Sequence, residues 1–161
     1  MHVGGILLQA PLGQSLALET RRKTAVDNYS SFAVATAGMR DLVTAQRLKY
    51  PQALHRRTEP SDRYNCHGLT FASRRTGIQS SAEVEKILIE DDYQPVPLAE
   101  IQVGDIAVYR TAQEITHTGI LVGMDGQIPL ILSKWGMLHE VVHRVTDCTY
   151  PGNVSFYRIY R

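Results

Sequence analysis

The hydrophobic positions of this chain change period once. Residues 15–47 hold few helix breakers, and Phe32, Val34, Met39, Leu42, Val43 and Leu48 trace a helical stripe weakened in the middle by Gly38. Tyr50-Pro51 stops it, because the residue before a proline avoids the α region. Residues 55–63 are polar, contain Pro60 and read as a loop. Residues 65–75 read as a helix with Asn65 as N-cap, Leu69 and Ala72 as its buried stripe, and Gly77 as terminator. Ser80-x-x-Glu83 is a capping-box pattern that opens a further helix over residues 81–91, with Val84, Ile87 and Leu88 on its apolar face. Pro95 and Pro97 mark another loop.

From Ile101 onward the period becomes two and β-branched residues dominate. Residues 105–110, 115–124, 128–135, 138–145 and 154–160 read as strands, and Asp125-Gly126 between two apolar runs signals a hairpin. Helices followed by a strand meander predict an α+β fold, with N-terminal helices packed on one face of a mostly antiparallel sheet.

At 161 residues the chain makes one domain. Its division is an N-terminal helical extension, residues 1–60, and a core, residues 61–161. With 43% hydrophobic and 20% charged residues it reads as ordinary globular protein, which excludes collagenous, disulfide-scaffold and disordered classes. The longest apolar runs, such as residues 128–132, are too short to span a bilayer. A net charge of +1 speaks against a nucleic-acid partner. Residues 1–13 lack a basic n-region, so no secretory signal is expected. The expected location is cytoplasmic as synthesised, with any action outside the cytosol calling for a non-classical route. Two cysteines, Cys66 and Cys148, fit a reducing compartment; a bridge between them would silence Cys66.

Cys66 lies in Tyr64-Asn65-Cys66-His67-Gly68-Leu69, at the start of a helix. Free backbone N–H groups and the helix dipole favour an anion there and are expected to lower the thiol pKa. The Cys66 N–H is a candidate oxyanion donor, and Gly68 leaves room for substrate near the sulfur. His117 opens a strand in Thr116-His117-Thr118-Gly119 and is the candidate base. Ser133, on the next strand, is the candidate orienting group. A lone cysteine is more often a small buried hydrophobe, and a lone histidine a structural one. Their joint order, with Val103-Gly104-Asp105 between them, tips the reading toward chemistry.

Other constellations compete. His139-Glu140-Val141-Val142-His143 is a literal H-E-x-x-H, which on a helix would hold zinc with Glu140 as base. A third protein ligand is missing, and on a strand the two histidines stand roughly 13 Å apart at 3.3 Å per residue. A zinc site from Cys66, His67, His117 and His143 matches no finger or deaminase spacing. Arg21-Arg22-Lys23, His55-Arg56-Arg57 and Arg74-Arg75 read as solvated surface, with Arg74 and Arg75 nearest the proposed site. Tyr109 reads as core, Trp135 equally as core or cleft wall, and Cys148, before a turn, as incidental.

Taken in order, Asn65-Cys66-His67-Gly68-Leu69, Gly104-Asp105-Ile106-Ala107-Val108-Tyr109 and His117-Thr118-Gly119-Ile120 resemble the papain-like cell-wall amidases and peptidases of the NlpC and CHAP groups. The resemblance covers residues 64–135 and implies a papain-like core. It implies Cys66 as nucleophile, His117 as base, and amide or isopeptide hydrolysis through a thioester, with no metal or organic cofactor. The third position, usually His, Asn, Gln or Glu in those groups, falls at Ser133. Tyr64, Asn65, His67, Gly68 and Trp135 would border the substrate. That substrate is peptide-like: a peptidoglycan stem peptide or a target protein. Ser133-Lys134-Trp135-Gly136 followed by His143 also resembles a toxin-associated branch, for which an immunity or delivery partner is the implied companion. Three alternatives stay open: a deamidase or acyltransferase toxin on the same fold, a zinc metallopeptidase through His139, Glu140 and His143, and an inactive binding module.

Overall fold

The computed structural model describes residues 16–160. Among the described residues, three α-helices, α1 (Ala37–Lys49), α2 (Cys66–Ala72) and α3 (Ser81–Glu90), accompany seven strands: β1 (Leu54–Arg56), β2 (Tyr93–Val96), β3 (Ile106–Arg110), β4 (Ile115–Asp125), β5 (Ile128–Lys134), β6 (Glu140–Arg144) and β7 (Asn153–Ile159). The strands form one sheet in the order β1-β6-β5-β4-β3-β7-β2, with every pairing antiparallel. The fold is α+β. No helix among the described residues is long and apolar enough to cross a membrane.

Alternation along β3 divides the core. Ile106 and Val108 pack with Val84, Ile87 and Leu88 of α3 and with Ile78. Ala107 and Tyr109 point the other way and join Leu121, Ile131, Val96 and Phe156. Each fully buried aliphatic side chain contributes about 1.5–3 kcal/mol, so both layers hold the sheet. The register of β3 on β4 sets His117 opposite Tyr109, and a bulge beside Tyr109 and Arg110 then sets Ile115 opposite Arg110. Cross-strand partners share a face. Ile115 therefore joins the α3 layer, and His117 lies on the face of Tyr109.

The five strands expected after residue 101 form, and the Asp125-Gly126 hairpin turns through Gly126 at φ +61°. Elsewhere the structure corrects the sequence reading. The first helix among the described residues begins at Ala37, with Thr36 as its cap; residue 15, where the sequence reading starts the helical stretch, lies outside the described residues. Residues 18–26 fold back on themselves instead, Val26 N–H donating to the Leu18 carbonyl, and Val26 enters the core. Of the helical stripe only Val43 is buried, while Phe32, Val34, Leu42 and Leu48 are exposed. The loop read at residues 55–63 begins with β1, which pairs with β6. Pro95 sits inside β2, tolerated because β2 is an edge strand. Helix α2 ends at Ser73 in the left-handed region, earlier than Gly77, which instead bridges Tyr29. Ser80 caps α3, but Glu83 does not complete the box: it accepts from the Asp27 N–H at 2.8 Å.

Candidate active site

Cys66 is the first residue of α2, and Asn65 fixes that start. The Asn65 Oδ1 accepts from the N–H of Gly68 at 2.9 Å, as an N-cap should, and from the N–H of Ile78 at 3.1 Å. Gly68 packs against the next loop: a Cβ there would stand 1.8 Å from the Thr76 carbonyl oxygen. Its glycine thus serves backbone approach rather than room for substrate. The Cys66 thiol is buried, yet borders a cleft of about 650 Å³. Tyr64, Asn65 and His67 line this cleft, as do Gln79, Glu114, Thr116 and Tyr150, none of which the sequence singled out.

Burial pushes the Cys66 thiol up to about 11, against backbone hydrogen bonds involving Thr118, His67 and Cys66 itself that favour the thiolate. The direction is opposite to that expected from a helix start. Helix α2 has only seven residues, and desolvation outweighs its N–H groups. The thiol is neutral near pH 7. Strand β4 runs past the sulfur at Thr118, the neighbour of His117. The Thr118 hydroxyl meets Nδ1 of His67 at 2.8 Å, and the same Nδ1 is 3.7 Å from the Cys66 Sγ. Burial holds His67 down to about 4, so this imidazole is neutral too.

His117 is fully buried on the Tyr109 face, and neither ring nitrogen has a hydrogen-bond partner. Its ring stacks on Tyr150 at 4.0 Å and an interplanar angle of 5°, with Tyr109 edge-on at 5.3 Å. Tyr150 lines the cleft and His117 does not. Burial, reinforced by the nearby His143 and His67, keeps His117 well below the usual imidazole range. No hydrogen bond joins Cys66 to His117: Thr118, opposite Val108, and His117, opposite Tyr109, face opposite sides of the sheet, and Tyr150 of the cleft wall is stacked on His117. Ser133 is buried on the neighbouring strand, but its hydroxyl meets Nε2 of His143 at 2.9 Å instead of His117. Trp135 is 3% exposed and is packed among Tyr50, His55, His139 and His143, away from the cleft wall.

The H-E-x-x-H run has no helix to stand on, since Glu140 to His143 belong to strand β6. The Glu140 carboxylate is committed: it accepts from the Tyr64 hydroxyl at 2.6 Å and from Arg74 at 2.6 Å and 3.1 Å. His139 pairs with His55 at 2.8 Å. Arg74 is therefore an anchor for buried charge as much as a surface cation. The Arg21-Arg22-Lys23 cluster meets carboxylates at the surface, Arg21 and Arg22 facing Asp92 and Lys23 facing Glu19, whereas Arg57 of the His55-Arg56-Arg57 cluster reaches the buried Glu140 at 3.5 Å. Cys66 and Cys148 are both free thiols.

Comparison with protein-family models, with curated proteins and with solved structures returns no match to this chain.

Proposed function

We propose that the protein is a cysteine hydrolase of papain-like type that cleaves an amide or peptide bond through a thioester on Cys66, with His117 as base. One observation supports the reading: the thiol at the start of α2 lines a cleft whose wall also holds Tyr150, and Tyr150 is stacked on His117, a buried imidazole with both nitrogens unpaired. Leaving a buried polar group without a partner costs about 1–3 kcal/mol, so an unpaired imidazole calls for an explanation, and a catalytic role supplies one. Thiol and imidazole are both neutral at rest. The thiol proton therefore leaves as Sγ attacks the carbonyl carbon, rather than beforehand. The imidazole takes that proton and delivers it to the departing amine. Water then adds to the thioester with the same imidazole as base, releasing the acid and restoring the thiol. Tyr64, Asn65 and His67 border the peptide-like substrate, for which a cell-wall stem peptide is the first candidate by resemblance alone. The papain-like assignment is itself part of this proposal.

A second assignment of the base rests on one distance: Nδ1 of His67 is the imidazole nitrogen 3.7 Å from the sulfur. Release of amine from peptidoglycan fragments and from a panel of peptide amides separates the two. Cys66→Ala and His117→Ala are expected to abolish release while His67→Ala retains it. Loss in His67→Ala with retention in His117→Ala moves the base to His67. Turnover that survives Cys66→Ala overturns the hydrolase reading.

A further inference from the structure

On the Tyr109 face of the sheet, side chains from β4, β6 and the loop before β7 converge. His117, His143 and Cys148 each offer a ligand atom, and these atoms all lie within 4.8 Å of one another. Both histidines are buried and Cys148 is half-buried. We propose that His117, His143 and Cys148 form a binding site for a thiophilic divalent ion, Zn²⁺ being the best fit to the donor set.

Three features point to a ligand, beyond the clustering itself. The first is His117, whose two ring nitrogens are buried and unpaired. The second is the tautomer of His143. Its Nδ1 lies 2.7 Å from the Arg144 carbonyl, which can only accept, so Nδ1 carries the proton and Nε2 presents its lone pair. A backbone carbonyl holding the far nitrogen of a ligating histidine is the usual support for a metal-bound imidazole. The third is the donor chemistry. Two imidazoles and a thiol suit Zn²⁺, and tetrahedral bond lengths of about 2.0–2.3 Å bring such donors to roughly 3.4–3.6 Å. From 4.8 Å that is a closure of at most roughly 1.4 Å, within reach of small side-chain rotations. The Ser133 hydroxyl, 2.9 Å from Nε2 of His143, would be displaced from that lone pair and left beside the fourth position. Binding forms one metal–sulfur and two metal–nitrogen bonds, displaces waters from the ion, and releases the Cys148 thiol proton to solvent. No group changes oxidation state.

The site stands without the hydrolase reading. One consequence rests on that reading: an ion on His117 occupies the lone pair the base needs, so zinc and turnover exclude each other.

Titration of the metal-free protein with Co²⁺, then displacement by Zn²⁺, tests the site without an activity assay. Expected is a one-to-one complex with a thiolate-to-cobalt band in the near ultraviolet. Cys148→Ser should lose the band, and Cys66→Ser should keep it. His117→Ala should weaken Zn²⁺ binding by more than the roughly 10–100-fold that loss of a supporting hydrogen bond costs. No band, a band that survives Cys148→Ser, or one lost in Cys66→Ser overturns the proposal. If Cys148→Ser does not fold, alkylation of the wild-type protein mapped by peptide gives the answer. Equimolar Zn²⁺ should shield Cys148, and an unshielded Cys148 refutes the site. Cys66 is read in the same map, so failure here is distinct from failure of the nucleophile assignment.

Discussion

Asn65 and Ile78 are joined at both ends of one side-chain amide. Oδ1 of Asn65 accepts from the Ile78 N–H at 3.1 Å, and Nδ2 donates to the Ile78 carbonyl at 2.7 Å. The same Oδ1 caps α2 through Gly68. One residue thus ties the start of the Cys66 helix to a loop position that is fully buried in the core. Asn65→Ala is expected to cost more than the ~1 kcal/mol typical of a lost cap, because it also strands both backbone groups of Ile78. Asn65→Asp keeps the cap and loses only the donor, so it should fall between. Denaturant midpoints for these variants and for Ser80→Ala, which removes a cap alone, check the order.

Burial pushes the Cys66 thiol up to about 11. In the ligand-free protein its alkylation should rise about tenfold per pH unit between pH 7 and 9, following the thiolate fraction. A plateau already reached at pH 6 would mean a preformed thiolate and would contradict this environment. Burial also pushes Cys148 up to about 11, so rates must be resolved for each cysteine by peptide mapping.

Glu140 gives the fold an acid-sensitive point. Burial pushes its carboxyl up, but hydrogen bonds from Arg74 and Tyr64, aided by the charges of Arg74 and Arg57, outweigh burial and hold it below the usual value. A carboxyl lowered in the folded state contributes stability that is fully present above its unfolded pKa of about 4.3 and is lost as pH falls through the folded value. Arg74→Ala should therefore destabilise the protein at pH 7 by roughly 1.5–3 kcal/mol, the scale of a hydrogen bond to a charged group. The gap to wild type should shrink below pH 4. Urea midpoints at pH 7 and pH 3 measure it.

Tyr150 lies flat on His117 and forms part of the cleft wall. Removing its ring in Tyr150→Ala should expose the imidazole and speed carbethoxylation of His117 severalfold. Tyr150→Phe keeps the ring and should match wild type. Equal rates in Tyr150→Ala and wild type would show that Tyr150 is not what covers His117.

Gly68 separates packing from substrate room. A methyl at this position meets the Thr76 backbone, so Gly68→Ala should destabilise the protein by about 1–3 kcal/mol, the range for overpacking. A variant with unchanged melting and only a raised KM would show that the space belongs to substrate.

Much of this molecule is written in local pattern. The period-two segments after residue 101, the Asn65 cap and the Ser81–Glu90 helix follow from side-chain alternation, cap chemistry and helix propensity, which act over a few residues. The same locality brought Cys66 to a helix start and His117 and Ser133 to adjacent strands. What it left open depends on partners distant in the chain. Residues 18–26 have helical composition, but Val26 gains more by entering the core against α3. Strands β1 and β2 exist because β6 and β7 offer them an edge. The bulge beside Tyr109 and Arg110 decides which face Ile115 takes, sending it to the α3 layer while His117 stays in register opposite Tyr109, since a shift of one residue reverses the side chains beyond it. The thiol of Cys66 carries a raised pKa because burial is a sum over all surrounding elements, whereas a helix start is visible in four residues. Cys148, incidental beside its own neighbours, gains chemical company only when β4 and β6 carry His117 and His143 to it.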